Sequence, residues 1–171
     1  MPEGDRVLVM MRHAKAEPFA SEDRLRQLTG RGRAAALDVG HWCAERCLKP
    51  DHALVSPATR TRQTWAAFAE GLGTGVEPTN DAALYSAGVD TAMECLRSLP
   101  ENARCVVFVG HNPTVATLVH LLGDGAGDVA AFRLVSSGYP PSAAAVFTVP
   151  SAWADLDIGT ARLEAAYVGK G

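Results

Sequence analysis

Short apolar runs alternate with segments of helical spacing over the first two-thirds of the chain, and this alternation restricts the fold more than any other feature. Val7 to Met11 is a continuous apolar run bounded by charge, as expected of a strand buried on both faces. His52 to Val55 is a second short strand, closed by Ser56-Pro57. The clearest strand is Arg104 to His111, "RCVVFVGH", apolar and rich in β-branched residues. Between these runs, residues 33–48 carry apolar side chains at 37, 39, 42, 43 and 47, a helical spacing. Thr59 to Leu72 predicts another helix, with Ser56 or Thr59 near its N-cap and Gly71 and Gly73 at its end. Asn112-Pro113 opens a helix through Leu122, with Pro113 in the first turn, where its missing N–H is harmless.

The weaker segments complete the pattern. Ser21 to Arg33 reads as a polar, glycine-containing loop, Val76 to Thr79 as a short edge strand, and Asp90 to Leu99 as a helix. Residues 123–128, "GDGAGD", read as a flexible loop. "AAAVFTV" and "ARLEAAYV" read as two final strands, with an antiparallel arrangement open to them. The expectation is an α/β fold with a mostly parallel central sheet, formed as one domain over residues 1–171 without repeats or linkers.

Charge and composition exclude several classes. A net charge of −3 lacks the basic face that nucleic-acid binders carry, so no nucleic-acid partner is expected. No segment approaches the roughly 18 apolar residues needed to span a bilayer, so no membrane role is expected. The first five residues are acidic and the apolar run after them is short, unlike a secretory signal. With four Cys, at 43, 47, 95 and 105, the economical expectation is a cytoplasmic protein with reduced thiols. The cationic side chains are 13 Arg and 3 Lys, and guanidinium suits a tetrahedral oxyanion better than ammonium does.

Three strand-to-helix junctions share one property. Arg12-His13 follows the first strand, "SPATRTRQT" the second, and "GHNP" the strand ending in His111. In an open α/β sheet, ligands bind outside the carboxyl ends of strands, where helix N-termini also point their N–H groups. Neighbouring parallel strands would bring His13 and His111 to one rim, within reach of Arg60 in the first turn of the next helix. The Arg-His dipeptide alone proves little, since 13 Arg and 5 His in 171 residues give about 0.4 such pairs by chance. Its weight comes from Arg60 and His111.

"MRHA", the pattern Ser56, Pro57, Arg60, Thr61, Gln63, Thr64, and "GHNP" resemble the motifs of the histidine phosphatase superfamily, with its phosphoglycerate mutase-like fold. The small size and the "LTGRGR" segment resemble the SixA-type phosphohistidine phosphatase branch. The resemblance implies a three-layer α/β/α sandwich and a metal-independent phosphohydrolase without cofactor. His13 would be the nucleophile that carries the phosphoryl group. Arg12 and Arg60 would clamp its equatorial oxygens, and a protonated His111 would add a third donor. Arg26 matches an Arg at the pocket mouth of that branch; it either contacts substrate or pairs with Asp23, and pairing is the preferred reading. The expected partner is a phosphorylated protein or a small phosphate substrate, met by a monomer.

One departure bears on the substrate. Larger members carry a glutamate as general acid, whereas the corresponding segment here, "NDAALYSAGVD", has Leu84-Tyr85-Ser86 and no glutamate. Asp81, Asp90 and Glu17 are substitutes without a compelling claim. A phosphoramidate needs less help than an alkyl ester, because imidazole leaves readily once protonated. Protein phosphohistidine is therefore the leading substrate class, ahead of a small phosphomonoester or mutase substrate and of a non-catalytic phosphate-binding module.

Other motifs take plainer readings. His41, Cys43 and Cys47 lack a fourth metal ligand at a familiar spacing, so both cysteines read as core-facing and no metal site is expected. "GLGTGV" follows a helix and lacks the third glycine of a dinucleotide loop. His52 and His120 read as structural or surface residues, and Arg62 as a surface residue.

Overall fold

Strand β1, Arg6–Arg12, occupies the interior of a six-stranded sheet and is apolar on both faces because helices cover both. The computed structural model describes residues 4–171; Met1 to Glu3, part of the acidic start noted above, lie outside the described residues. After β1 come α1 (Gly30–Glu45), β2 (His52–Val55), α2 (Thr59–Leu72), β3 (Thr79–Asn80) and α3 (Val89–Arg97). These are followed by β4 (Cys105–Gly110), α4 (Thr114–Leu122), α5 (Val129–Ser136), β5 (Ala143–Val149) and β6 (Arg162–Val168). The sheet order is β3-β2-β4-β1-β5-β6. The pairs β3–β2, β2–β4 and β4–β1 are parallel, and β1–β5 and β5–β6 are antiparallel. The fold is therefore the expected α/β sandwich with a mostly parallel sheet.

Residue parity along the strands assigns the layers. Leu8 and Met10 of β1 and Val106 and Phe108 of β4 pack with side chains of α3, α4 and α5. Val7, Val9 and Met11, with Val107 and Val109, pack with Ala36, Val39 and Trp42 of α1 and Trp65 and Phe68 of α2. Alternate residues of one strand thus serve two separate cores. Helices α1 and α2 approach so closely that a Cβ on Gly40 would collide with the Phe68 carbonyl, and one on Gly71 with that of Leu37. Gly71, in the "GLGTGV" stretch, is a packing residue.

Several boundaries differ from the sequence expectation. Helix α1 starts at Gly30, inside the segment read as a loop, because the Thr29 side chain accepts from the Gly32 N–H and caps it. Helix α2 matches its expected span, but Ala58 is its N-cap residue, and neither Ser56 nor Thr59 caps it. Edge strand β3 falls at Thr79–Asn80, later than expected, and pairs only with Leu54 and Val55. Helix α5 was not anticipated; Asp128 starts it by accepting from the Ala131 N–H. Among the described residues no helix is long and apolar enough to cross a membrane.

Candidate active site

The parallel register sets the site. Arg12 lies opposite Gly110, and the His13 N–H donates to the Gly110 carbonyl, so His13 and His111 leave neighbouring strands at the same level. Their ring centroids are 5.4 Å apart. On the other side of β4, the Ser56 N–H donates to Val109, which brings Ser56 to the same rim. Thr64 joins the end of β1 to α2: its hydroxyl accepts from the Ala14 N–H at 2.9 Å and donates to the Arg60 carbonyl at 2.6 Å. That double contact holds the first turns of α2, and with them Arg60, against the His13 segment.

Hydrogen bonding fixes the His13 tautomer. Nδ1 lies 2.8 Å from the Ala14 carbonyl oxygen, which can only accept, so Nδ1 carries the proton and Nε2 keeps its lone pair. Burial, followed by the charges of Arg60, Arg12 and Arg26, pushes the His13 pKa down to about 4. The ring is neutral at neutral pH, as a nucleophile must be.

His111 is held by a residue outside the expected set. Its Nε2 is 2.7 Å from the hydroxyl of Ser56, a fully buried side chain. Burial, then Arg60 and His13, push the His111 pKa down to about 4 as well. The resemblance implies a protonated His111, whereas these surroundings, Asp23 excepted, favour the neutral ring. The Ser56 hydroxyl can donate to or accept from Nε2, and among the described residues the other ring nitrogen, Nδ1, is buried without a partner.

The two clamp arginines each retain uncommitted donors. Arg12 gives Nη1 to the Tyr139 carbonyl at 3.0 Å, and Asn112 donates to the same oxygen at 2.9 Å. Arg60, buried, gives Nη1 to the Asp23 carbonyl and Nη2 to the Asp23 carboxylate, at 2.9 and 3.1 Å. Among the described residues Nε of both arginines is buried with no partner. Among the described residues Arg12 Nε, Arg60 Nε and His111 Nδ1 are thus desolvated and unpaired, a state that costs about 1–3 kcal/mol per group.

Arg26 pairs with Asp23 at 3.1 Å and donates through Nε to the Glu17 carbonyl at 2.7 Å. It is close enough for its charge to be felt at His13. Asp23 also accepts from the Tyr85 hydroxyl at 2.7 Å. Tyr85, first among these contacts, then Arg26 and Arg60, bring the Asp23 pKa down to about 2, so it is a fixed anion. Of the suggested acid substitutes, Asp81 caps the turn at Ala83 and lines a separate cavity with His52 and Cys95. Asp90 and Glu17 are exposed.

Sequence reasoning missed Ser56, Tyr85 and the bond from Asp23 to Arg60. Ser56 had a signal, since it follows β2 at the same rim as the other two junctions. Of the cysteines near His41, Cys43 is buried, whereas Cys47 is exposed and does not face the core. Among the described residues no group of three or more His, Cys, Asp or Glu side chains could hold a metal ion.

Comparison with known proteins bears on the family and the fold. The family model described as the histidine phosphatase superfamily (branch 1) matches residues 8–88. An uncharacterized protein of Mycobacterium tuberculosis is 36% identical over 162 residues, covering 92% of this chain and 99% of the relative. The solved structure of a candidate phosphohistidine phosphatase, SixA, from Nakamurella multipartitia is 32% identical, with a TM-score of 0.86 and 99% of each chain covered. A candidate SixA of Agrobacterium tumefaciens is 27% identical, with a TM-score of 0.77, covering 95% of this chain and 97% of that one.

Proposed function

Because this chain belongs to the histidine phosphatase superfamily, we propose that it is a phosphatase working through a phosphoryl group carried on His13 Nε2, with protein phosphohistidine as substrate. The observation that carries the reading is the Ala14 carbonyl on His13 Nδ1, which frees Nε2 in a site where, among the described residues, Arg12 Nε and Arg60 Nε are buried donors without a partner. The His13 Nε2 lone pair attacks phosphorus as the bond from phosphorus to the substrate imidazole breaks. The departing imidazole takes up a proton. Water then attacks phosphorus, the bond to Nε2 breaks, and inorganic phosphate leaves with His13 restored. Arg12, Arg60 and His111 hold the equatorial oxygens through both steps. The positive groups supply the charge stabilisation that a metal ion gives in other phosphatases.

The acid inventory supports this substrate class. Asp23, the carboxylate in contact with Arg60, is held ionised and cannot donate a proton at neutral pH. Tyr85 lies in the segment that lacks the glutamate of larger relatives, and its bond to Asp23 raises its pKa above the ordinary phenol value. An alkyl leaving group would lack a competent donor, whereas an imidazole protonated from solvent would not need one.

The test compares a phosphohistidine peptide, a phosphoserine peptide and an aryl phosphate, with and without EDTA, in wild type and His13→Ala. We expect turnover of phosphohistidine to exceed that of phosphoserine by at least ~100-fold, to survive EDTA and to vanish in the variant. Equal rates on both peptides would overturn the substrate assignment, and full activity in His13→Ala would overturn the mechanism. The working unit is one domain spanning the chain, active as a monomer.

A further inference from the structure

We infer that Asp23 is a positioning residue for the phosphoryl-transfer site: it occupies the end-on edge of the Arg60 guanidinium, presents the opposite edge to the transferred group, and balances the site's charge. This rests on reading Arg60 as an anion clamp. A guanidinium offers two bidentate edges, one formed by Nη1 and Nη2 and the other by Nε and Nη2. Asp23 takes the first with two different groups, its main-chain carbonyl on Nη1 and its carboxylate on Nη2. Nε and the second proton of Nη2 are left on the other edge, and Nε has no partner. Arg12 is arranged in parallel fashion, with Nη1 tied to Tyr139 and Nε unpaired. Both clamps therefore leave the same kind of edge uncommitted.

Asp23 is itself fixed from two other elements. Arg26 binds one carboxylate oxygen, and the Tyr85 hydroxyl binds the oxygen that Arg60 uses. Tyr85 belongs to the segment before α3, and its ring meets His111 edge-on at 6.0 Å between centroids. The carboxylate thus joins three elements around the pocket and orients two guanidiniums. It also sets the charge: Arg12, Arg26 and Arg60 against one carboxylate leave two positive charges, which match a phosphoryl dianion. The groups facing His111 are Arg60, His13, Asp23 and Arg12 by charge, Ser56 by hydrogen bond and Tyr85 by its ring. Of these, Asp23 favours the protonated imidazole.

A residue that merely held the loop would weaken binding and turnover together when replaced. A residue that orients Arg60 and offsets its charge predicts a split. In Asp23→Asn the main-chain carbonyl still holds Nη1, but the neutral side chain no longer offsets the guanidinium charge, so in this more positive surrounding inorganic phosphate inhibits several-fold more tightly. At the same time kcat falls by ~10-fold or more, because the in-line geometry is lost. The His111 imidazole, followed by NMR, then titrates at lower pH than in wild type. Asp23→Glu keeps the charge but not the geometry, so phosphate inhibition stays near wild type while kcat falls. Tyr85→Phe keeps the carboxylate and loses one of its tethers, giving a smaller loss of kcat with unchanged phosphate inhibition.

The experiment measures kcat, KM and the phosphate inhibition constant for these three variants on the aryl phosphate, with phosphate binding by calorimetry. Opposite movements of kcat and of the inhibition constant's tightness in Asp23→Asn support the inference. Unchanged values, or phosphate inhibition that weakens in step with kcat, overturn it. Should Asp23→Asn fail to fold, Asp23→Glu decides: wild-type kcat in that variant overturns the inference. A wild-type protein that neither binds phosphate nor turns over the aryl ester overturns the clamp reading itself, a distinct outcome visible before any variant is made.

Discussion

The Ser56 hydroxyl stands 2.7 Å from His111 Nε2, so the residue that follows β2 orients the second histidine of the site. Removing the hydroxyl leaves a buried ring nitrogen unpaired and lets the imidazole turn. Ser56→Ala should lower kcat by ~10–100-fold with little change in KM, and cost about 1–3 kcal/mol of stability. Steady-state kinetics with denaturant unfolding on the same preparation checks both. Unaltered kcat with only a stability loss would make Ser56 a packing residue.

Arg60 depends on its fork as well as its charge. Arg60→Lys keeps a cation but cannot hold Asp23 with two nitrogens while leaving a planar edge for phosphate. A fall in kcat/KM of ~100-fold or more is expected, at ~1.4 kcal/mol per factor of ten. A lysine variant retaining near-wild-type kcat/KM would mean that point charge suffices.

The pH dependence has a definite sign. His13 attacks as the neutral ring, and burial with the neighbouring guanidiniums holds its pKa at about 4. The free enzyme should therefore keep its kcat/KM from neutral pH down to about pH 5 and lose it only through about pH 4. An acid limb near 6.5 would contradict this environment.

The same shift links to stability. Both histidines titrate lower when folded than in the unfolded chain, so folding favours their neutral forms. Their contribution is fully present above about pH 6.5 and is lost as pH falls from there to about 4. Denaturant unfolding at several pH values should show wild type losing more stability across that window than a His13→Gln, His111→Gln double variant. Parallel losses would rule the linkage out.

The α1–α2 contact predicts a purely structural effect. Gly40→Ala would push a methyl into the Phe68 carbonyl and force the two helices apart. A loss of about 1–3 kcal/mol is expected from overpacking, read as a lower denaturation midpoint. An unchanged midpoint would show that the helices shift freely.

The parts legible in the sequence are those that local pattern determines. Apolar runs ending in Arg12-His13 and in His111 announced two parallel strands, and the sheet places those ends side by side, 5.4 Å between rings. Arg60 followed from its position in the first turn of a helix whose span was also legible. What stayed hidden depends on contacts between distant segments. The link from Asp23 to Arg60 and Tyr85 joins two loops to a helix, and nothing in the polar stretch around Asp23 marks one carboxylate over its neighbours. Helix α5 lies behind a glycine-rich loop and is eight residues long, too short to show a helical period. Edge strand β3 pairs over two residues only, below what alternation can register.

The central claim is a covalent one, that His13 Nε2 carries the phosphoryl group. Rapid acid-free quench after mixing with a labelled phosphohistidine peptide, followed by fragmentation and phosphorus NMR, tests it directly. The account predicts a transient, acid-labile phosphoryl group on Nε2 of His13, formed and lost at rates that support turnover and absent in His13→Ala. Turnover with no label on His13, or with the label on another residue or on Nδ1, would contradict it.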